Sequence, residues 1–432
     1  MPPLLSHRTP AAKASLALLI LLLSADLGTA QIYTEKQTRH RFAQLHLGVD
    51  VEASIGGTTR YLDAAGQLQT FDLGSAYAPR FVIGGTHFWG HADFYIAIPL
   101  FAPQTDEQGQ EIQFLRGVET VFKYYPWRIE HAKLRPYLGV SVAPFYFEQS
   151  NSNLAFGNGP ELYQTAFPLL GGVTFNARSH LLELGVAWNY AHRDTYFVDR
   201  ANRQSITLPP VYVNLSYRFM LDTTISAEEA WESGRTQAVT ERLASEGKLD
   251  GFFLGVGLSS AFWLGQSSYN TAVRPYLEPY GISLMPDLGI GYYLHRPDLN
   301  IGLAYRGYGT STNAYGTTQS LRRRSVVFEV SKYLFDYHGF LPFVGPAVSY
   351  ERLSFEEAFE QQRTADVDEE QVGYGLTFGW DIRPNRLQSW ILRTNLRWYP
   401  TLSLSVAEDQ DIAFSNIEFN FIQLILYPNR IF

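Results

Sequence analysis

A strict two-residue alternation of apolar and polar side chains recurs along this chain, while no apolar run is long enough to make a membrane-spanning helix. From Val211 to Phe219, the apolar set Val211, Val213, Leu215, Tyr217 and Phe219 alternates with Tyr212, Asn214, Ser216 and Arg218. From Leu182 to Tyr190, Leu182, Leu184, Val186, Trp188 and Tyr190 alternate with Glu183, Gly185, Ala187 and Asn189. Successive side chains of a strand point to opposite faces, so each segment has one face suited to an apolar medium and one suited to water. Between Leu45 and Ala53 the polar face carries His46, Asp50 and Glu52. The N-terminal apolar run, Leu16 to Leu23, is far short of the roughly 20 residues a spanning helix needs. Alternation alone also fits a water-soluble sandwich with one buried face, so loops and composition must separate the two.

The chain holds 27 Tyr, 29 Phe and 8 Trp, yet its mean hydropathy is −0.13. A heavy aromatic load on a polar average is what a strand-built membrane wall produces, because lipid-facing and inward residues cancel and the interfacial girdles remain. Connections alternate between short turns, around Gly90-His91, Asn176-Ala177-Arg178, His295-Arg296-Pro297 and Tyr337-His338-Gly339, and long polar loops. The long ones are Gly56 to Phe71, Ala102 to Gln110, Glu148 to Glu161, His192 to Gln204, Gly265 to Glu278 and Phe355 to Glu369. With a periplasmic N-terminus every long loop falls outside the cell. Phe88-Trp89, Tyr124-Tyr125, Trp127 and Trp398-Tyr399 lie near strand ends, where girdles sit.

Residues 1–30 read as an export signal: Arg8 and Lys13 precede the apolar run and Gly28-Thr29-Ala30 offers a small-residue exit, so the mature chain is expected to begin at Gln31. Zero cysteines exclude a disulfide scaffold and thiolate metal sites. The formal charge of −8, with no basic stretch interleaved with aromatics, argues against a nucleic-acid partner.

The two halves repeat each other. Leu47-Gly48-Val49 answers Leu254-Gly255-Val256, Pro79 with Ile83-Gly84 answers Pro286 with Ile290-Gly291, and Asp93-Phe94-Tyr95-Ile96 answers Asp298-Leu299-Asn300-Ile301. Pro136-Tyr137-Leu138-Gly139 answers Pro342-Phe343-Val344-Gly345, Gly172-Val173-Thr174-Phe175 answers Gly375-Leu376-Thr377-Phe378, and Val213-Asn214-Leu215 answers Phe419-Asn420-Phe421. Each half offers eight strand candidates, giving a first repeat over 31–220 and a second over 251–432. Between them, 221–250 is rich in Ala, Glu, Gln and Arg, and Ser226-Ala227-Glu228-Glu229 has capping-box spacing. A periplasmic helix is expected there, a spacer in preference to a lumen plug because its apolar side is thin.

Eight antiparallel strands per unit, with Pro136-Tyr137-Leu138-Gly139 opening one strand and Val213 to Phe219 closing the last, resemble the OmpA/OmpX/OmpW-like outer-membrane β-barrel family, here duplicated in tandem. The resemblance covers Leu45 to Phe219 and Phe252 to Phe432. Phe432 resembles the family's terminal aromatic assembly signal, although Pro428 and Arg430 interrupt the alternation before it. The fold class expected is an all-β, antiparallel transmembrane β-barrel in a bacterial outer membrane. One sixteen-stranded barrel is favoured, since a single closure leaves no exposed edge and needs one insertion event; two tandem eight-stranded barrels are the alternative.

Lumen-facing candidates are Asp50, Glu52, Glu119, Lys123, Glu183 and Arg218 in the first repeat and Glu329, Arg393, Arg397 and Glu418 in the second. Mixed charge suits a porin wall and a salt-bridged plug in a small lumen equally well, and fold-level analogy favours a porin-like channel for small polar solutes; the alternative is a non-conducting structural or adhesive barrel with ligand-binding loops. A lipid-modifying enzyme would need a nucleophile and base at the rim. His192 with Asp194, and Asp409 with Asp411, are the residues nearest to such a role, and no motif links them to a nucleophile. No metal or cofactor is expected: His87 and His91 span a turn rather than a helix, and Asp366, Asp368, Glu369 and Glu370 match no twelve-residue cation loop. Expected partners are outer-membrane lipids, the barrel-assembly machinery and, through Arg322-Arg323-Arg324, the phosphates of lipopolysaccharide, although a solvated charge run is the plainer reading of those arginines.

Overall fold

A computed structural model describes residues 41–430 except 64, 66, 103, 108–109, 130–132, 152–157, 223–233, 264–266, 282, 338, 383–388 and 415. The expected signal segment, the capping box at Ser226–Glu229 and the terminal Phe432 lie outside the described residues.

Eight strands make the first barrel: β1 (Ala43–Ile55), β2 (Ser75–His87), β3 (Ala92–Pro99), β4 (Glu119–Tyr124), β5 (Leu134–Asn151), β6 (Leu169–Ala177), β7 (His180–Trp188) and β8 (Val211–Asp222). Each pairs antiparallel with the next, and β8 returns to β1 with Val51 opposite Leu215 and Glu52 opposite Asn214. The second barrel repeats the plan with β9 (Gly251–Trp263), β10 (Ser283–Leu294), β11 (Leu299–Ala314), β12 (Thr317–Tyr333), β13 (Phe340–Phe359), β14 (Gln362–Ile382), β15 (Trp390–Tyr399) and β16 (Asn416–Leu426). Here β16 closes on β9, with Val256 opposite Leu424.

The favoured single sixteen-stranded barrel is therefore corrected to two barrels of eight strands. Any even number of up-and-down strands brings the last strand antiparallel to the first, so alternation permits closure after eight strands as readily as after sixteen. Closure at eight makes a lumen that side chains can fill, and it lets the inward charges pair with one another.

Outward side chains form an apolar belt around each barrel. On β10 the outward set is Leu284, Pro286, Leu288, Ile290, Tyr292 and Leu294, none of them buried. Ten residue steps at about 3.3 Å, tilted by about 40°, span roughly 25 Å, the height of a lipid-facing band. On β14 the outward positions Val372, Tyr374, Leu376 and Phe378 belong to the belt, while Glu370, Asp368 and Asp366 continue the same face beyond it. The stretch Phe355 to Glu369, expected as a loop, is the tip of the β13–β14 hairpin, reversed at Glu360 and Gln361, whose φ angles are 49° and 67°. At 20 and 21 residues, these strands are about twice as long as a bilayer crossing needs and run on past the apolar belt.

The helix α1 (Gly234–Ser245) lies in the inter-repeat segment. Of its residues from Ala238 onward only Leu243 is buried, whereas a helix packed inside a lumen would be enclosed all round.

The barrels touch at both ends. At the short-turn end Phe42, Ala43 and Trp89 share a buried cluster with Ile382 of the second barrel, and Phe88 meets Phe340 edge-on with ring centroids 5.0 Å apart. Phe88 and Trp89 hold φ angles of 54° and 56°, a left-handed conformation costing bulky residues about 1 kcal/mol or more each. Burying Trp89 against Phe42, with Arg128 stacked 4.7 Å from its ring, offsets that strain. At the long-loop end Phe197 packs with Tyr276, Leu277, Ala314 and Tyr315, and the Tyr315 hydroxyl donates to the Phe197 carbonyl at 2.8 Å.

Candidate functional site

The alternation that turns apolar residues outward turns charged ones into the lumens, where no lipid and little water can solvate them. A buried ion is tolerated only when paired and hydrogen-bonded. In the first barrel two clusters achieve this. Near the outer mouth, Arg80 grips Asp50 with two bonds of 2.7 Å and reaches Glu52 at 2.8 Å and Glu119 at 2.7 Å. Arg116 reaches Glu52 at 2.6 Å and also pairs with Glu119. Deeper, Arg218 bridges Asp93 at 2.8 Å and Glu183, Lys123 also pairs with Glu183, and His46 Nε2 lies 2.8 Å from Asp93 Oδ1. Glu183 also accepts from the Tyr137 hydroxyl at 2.8 Å and from Asn214 Nδ2 at 3.0 Å. Glycines open the room for these groups: a Cβ on Gly185 would strike the Tyr137 hydroxyl and the Asn214 amide.

The second barrel builds a separate network. Arg397 reaches Asp287 at 2.8 Å and also pairs with Glu329, and Arg306 reaches Glu329 at 2.9 Å and Glu418 at 3.3 Å. Arg323 forms two bonds of 2.7 Å with Glu351 and pairs with Glu418. Toward the short-turn end Arg393 holds Asp381 at 2.8 Å, with the Tyr333 hydroxyl on the same carboxylate.

Of the lumen candidates read from the sequence, Asp50, Glu52, Glu119, Lys123, Glu183, Arg218, Arg393, Arg397 and Glu418 are buried inside the barrels; Glu329 is half-buried beside a small cavity. Each is joined to at least one opposite charge. Sequence reasoning missed Arg80, Arg116, Asp93, Asp287, Arg306, Arg323, Glu351 and Asp381. For Arg323 the signal was present, since alternation turns the middle residue of Arg322-Arg323-Arg324 opposite to its neighbours.

Apolar seals flank the networks. Over the first barrel's outer mouth, hairpins Thr58–Leu62 with Leu68–Asp72 and Arg193–Phe197 with Arg203–Thr207 form one four-stranded sheet. Tyr196 and Ile206 from this sheet, together with Ile112, Phe114, Phe147 and Leu208, belong to one buried cluster. The second barrel is capped by Tyr269 of the short helix α2 (Ser268–Val273) with Leu353, Phe355, Leu404, Ile412 and Phe414, and closed below by Phe253, Tyr293, Phe343 and Tyr427. Spaces beside the networks measure about 20 Å³ in the second barrel and about 10 Å³ in the first, the scale of a single water. The wide aqueous lumen expected of a sixteen-stranded porin-like wall is thus replaced by two packed interiors.

At the rim, His192 Nδ1 lies 3.0 Å from the Asn189 carbonyl, and Asp194 accepts from the Thr195 N–H at 2.7 Å. Asp411 engages Ser268 through its backbone alone. His91 turns to the Tyr125 carbonyl at 2.8 Å. The His46–Asp93 pair has the partners of a general base, but both residues are fully enclosed. Among the described residues no group of three or more His, Asp and Glu is arranged to hold a metal ion.

Two closed, filled eight-stranded barrels, each with an apolar outer belt, define the architecture of a transmembrane β-barrel protein. No protein-family model matches the chain, and no curated protein matches it. Among solved structures it is similar to Neisserial surface protein A, with 15% identity and a TM-score of 0.30 over 41% of this chain and 97% of that one. It is also similar to an outer membrane channel from Pseudomonas putida F1, with 9% identity and a TM-score of 0.18 over 88% of this chain and 94% of that one. A Pseudomonas aeruginosa FadL homologue matches with 10% identity and a TM-score of 0.19 over 89% of this chain and 90% of that one. The functional reading below rests on the geometry of this chain.

Proposed function

We propose that this chain is an integral protein of a bacterial outer membrane, a tandem duplication of an eight-stranded unit, whose barrels do not conduct and instead hold a rigid extracellular surface for binding. The observation that carries the reading is the filling of both lumens: paired ions in the middle and apolar side chains at the mouths. The apolar belt supports membrane insertion, and the projecting β12–β13–β14 wall and the loop sheet over the first barrel supply the surface. Strand plan and motif positions support the duplication. At matched positions after Pro79 and Pro286, however, stand Arg80 and Asp287, so in this reading each lumen has evolved its own ion network.

The test is conductance of the refolded full chain in a planar bilayer, with insertion verified by protease protection. The proposal expects no steady conductance. Steady ohmic steps would overturn it in favour of the porin-like channel.

A further inference from the structure

Where the second barrel's wall leaves the apolar belt, it carries arginines that form no salt bridge among the described residues. Outward residues of β12, read toward the long-loop end, are Phe328, Val326, Arg324 and Arg322; those of β13 are Val348, Tyr350, Arg352 and Ser354. Register aligns the change of character. Val326 stands opposite Tyr350 and Tyr350 opposite Val372, the last apolar row, and in the next outward row Arg324 stands opposite Arg352 and Arg352 opposite Glu370. Arg322 lies one outward position further, opposite Ser354. Like charges directly opposed across a strand pair destabilise it, so this pairing calls for a compensating anion.

Glu370, opposite Arg352, and Asp368, opposite Ser354, offset it only in part. Glu370 accepts the Tyr350 hydroxyl, while Glu356 and Asp366 are engaged by Arg363 at 3.3 and 2.8 Å. Arg322, Arg324 and Arg352 are exposed, and among the described residues no carboxylate pairs with them. Beside them the wall is low: Gly307 faces Arg324 and Gly309 faces Arg322 on β11. Immediately below run Leu303, Tyr305, Val326 and Phe328, each between 45% and 47% exposed. Cationic groups over a glycine-floored trough that continues into an apolar wall match one kind of ligand, an anionic head with acyl chains attached.

We propose that Arg322, Arg324 and Arg352 bind the phosphate of a phosphorylated lipid in the outer leaflet, whose acyl chains lie over Tyr305, Val326 and Phe328. A guanidinium offers paired N–H donors that match phosphate oxygens. The assignment rests on the membrane reading above and adds to it a lipid class and a place.

The test uses the full chain refolded into phosphatidylcholine vesicles containing dansyl-labelled, bisphosphorylated lipid A, with association read by energy transfer from tryptophan. The comparison is wild type against the triple variant Arg322→Gln, Arg324→Gln, Arg352→Gln, with Arg363→Gln, whose charge is already paired, as the control on the same wall. Each guanidinium lost is expected to weaken lipid A association about fivefold, and the triple variant on the order of a hundredfold, with the control unchanged. The proposal is overturned by a triple variant that binds within about twofold of wild type, or by an equal loss in the control. It is also overturned if excess inorganic phosphate at fixed ionic strength displaces the lipid, which would mark a free-anion site. Protease protection separates the two failures: a chain that does not insert refutes the membrane reading, and one that inserts without arginine-dependent preference refutes the phosphate site alone.

Discussion

Replacing Arg80 by Met tests whether the lumen networks hold the barrels together. Arg80 is 3% exposed and donates four bonds to three carboxylates. Glu52 and Glu119 keep Arg116 after the substitution, whereas both hydrogen bonds that Asp50 accepts from a side chain come from Arg80. The damage therefore concentrates on one orphaned carboxylate, with two more acids sharing a single guanidinium. Removing one partner of a buried pair costs about 3 to 5 kcal/mol, while replacing the pair by apolar groups of similar volume is close to neutral. Arg80→Met is thus expected to lose about 3 to 5 kcal/mol, and Arg80→Met with Asp50→Leu to recover most of it. The assay is urea unfolding in lipid vesicles followed by tryptophan fluorescence, with the unheated gel shift as a check on folding. A single variant within about 1 kcal/mol of wild type, or a double variant less stable than the single, would refute the reasoning.

Leu215→Arg, on the lipid face of β8, should cost about 2 to 4 kcal/mol if it lies near mid-membrane, whereas Asp366→Arg beyond the belt should cost under about 1 kcal/mol; urea midpoints in vesicles compare them. Gly185→Ala drives a methyl group into the Tyr137 hydroxyl and the Asn214 amide, and the same assay should show a loss of about 1 to 3 kcal/mol from overpacking. Trp89→Ala empties the inter-barrel cluster it shares with Phe42 and Ile382, which should cost about 3 to 5 kcal/mol and raise protease cleavage at the turn through residues 88–90.

Much of the wall was legible in the sequence because it depends on local periodicity. Leu184 and Leu215 read as outward from alternation alone, and they face each other across β7 and β8 on the exposed side. Closure was not legible, because it depends on which strand β8 meets, and β1 and β9 present the same alternating edge to it. The β13–β14 extension reads as a loop in the sequence because it is long and polar, with Asp366, Asp368 and Glu369 in acidic succession. Its inward face nevertheless keeps alternating through Leu353, Phe355 and Val367, the signal that separates a strand leaving the membrane from a true loop. The ion networks were half legible. Alternation marks which charges turn inward, but partners such as Arg80 with Glu119 or Arg306 with Glu418 are brought together only by closure.

Separate closure of the two barrels is the claim on which the filled lumens depend, and the absence of native cysteine makes it directly testable. Paired cysteines at Val51 and Leu215 span the first seam, and paired cysteines at Val256 and Leu424 span the second. Directly opposed cross-strand Cβ atoms lie about 5 Å apart, within reach of a short bifunctional thiol-reactive reagent such as a bis-methanethiosulfonate. In membrane-inserted protein both pairs should cross-link nearly completely, and a pair at Leu215 and Val256 should not. Efficient linkage of Leu215 to Val256, with both seam pairs unlinked, would mean that β8 runs on into β9 as one wide barrel, contradicting the account.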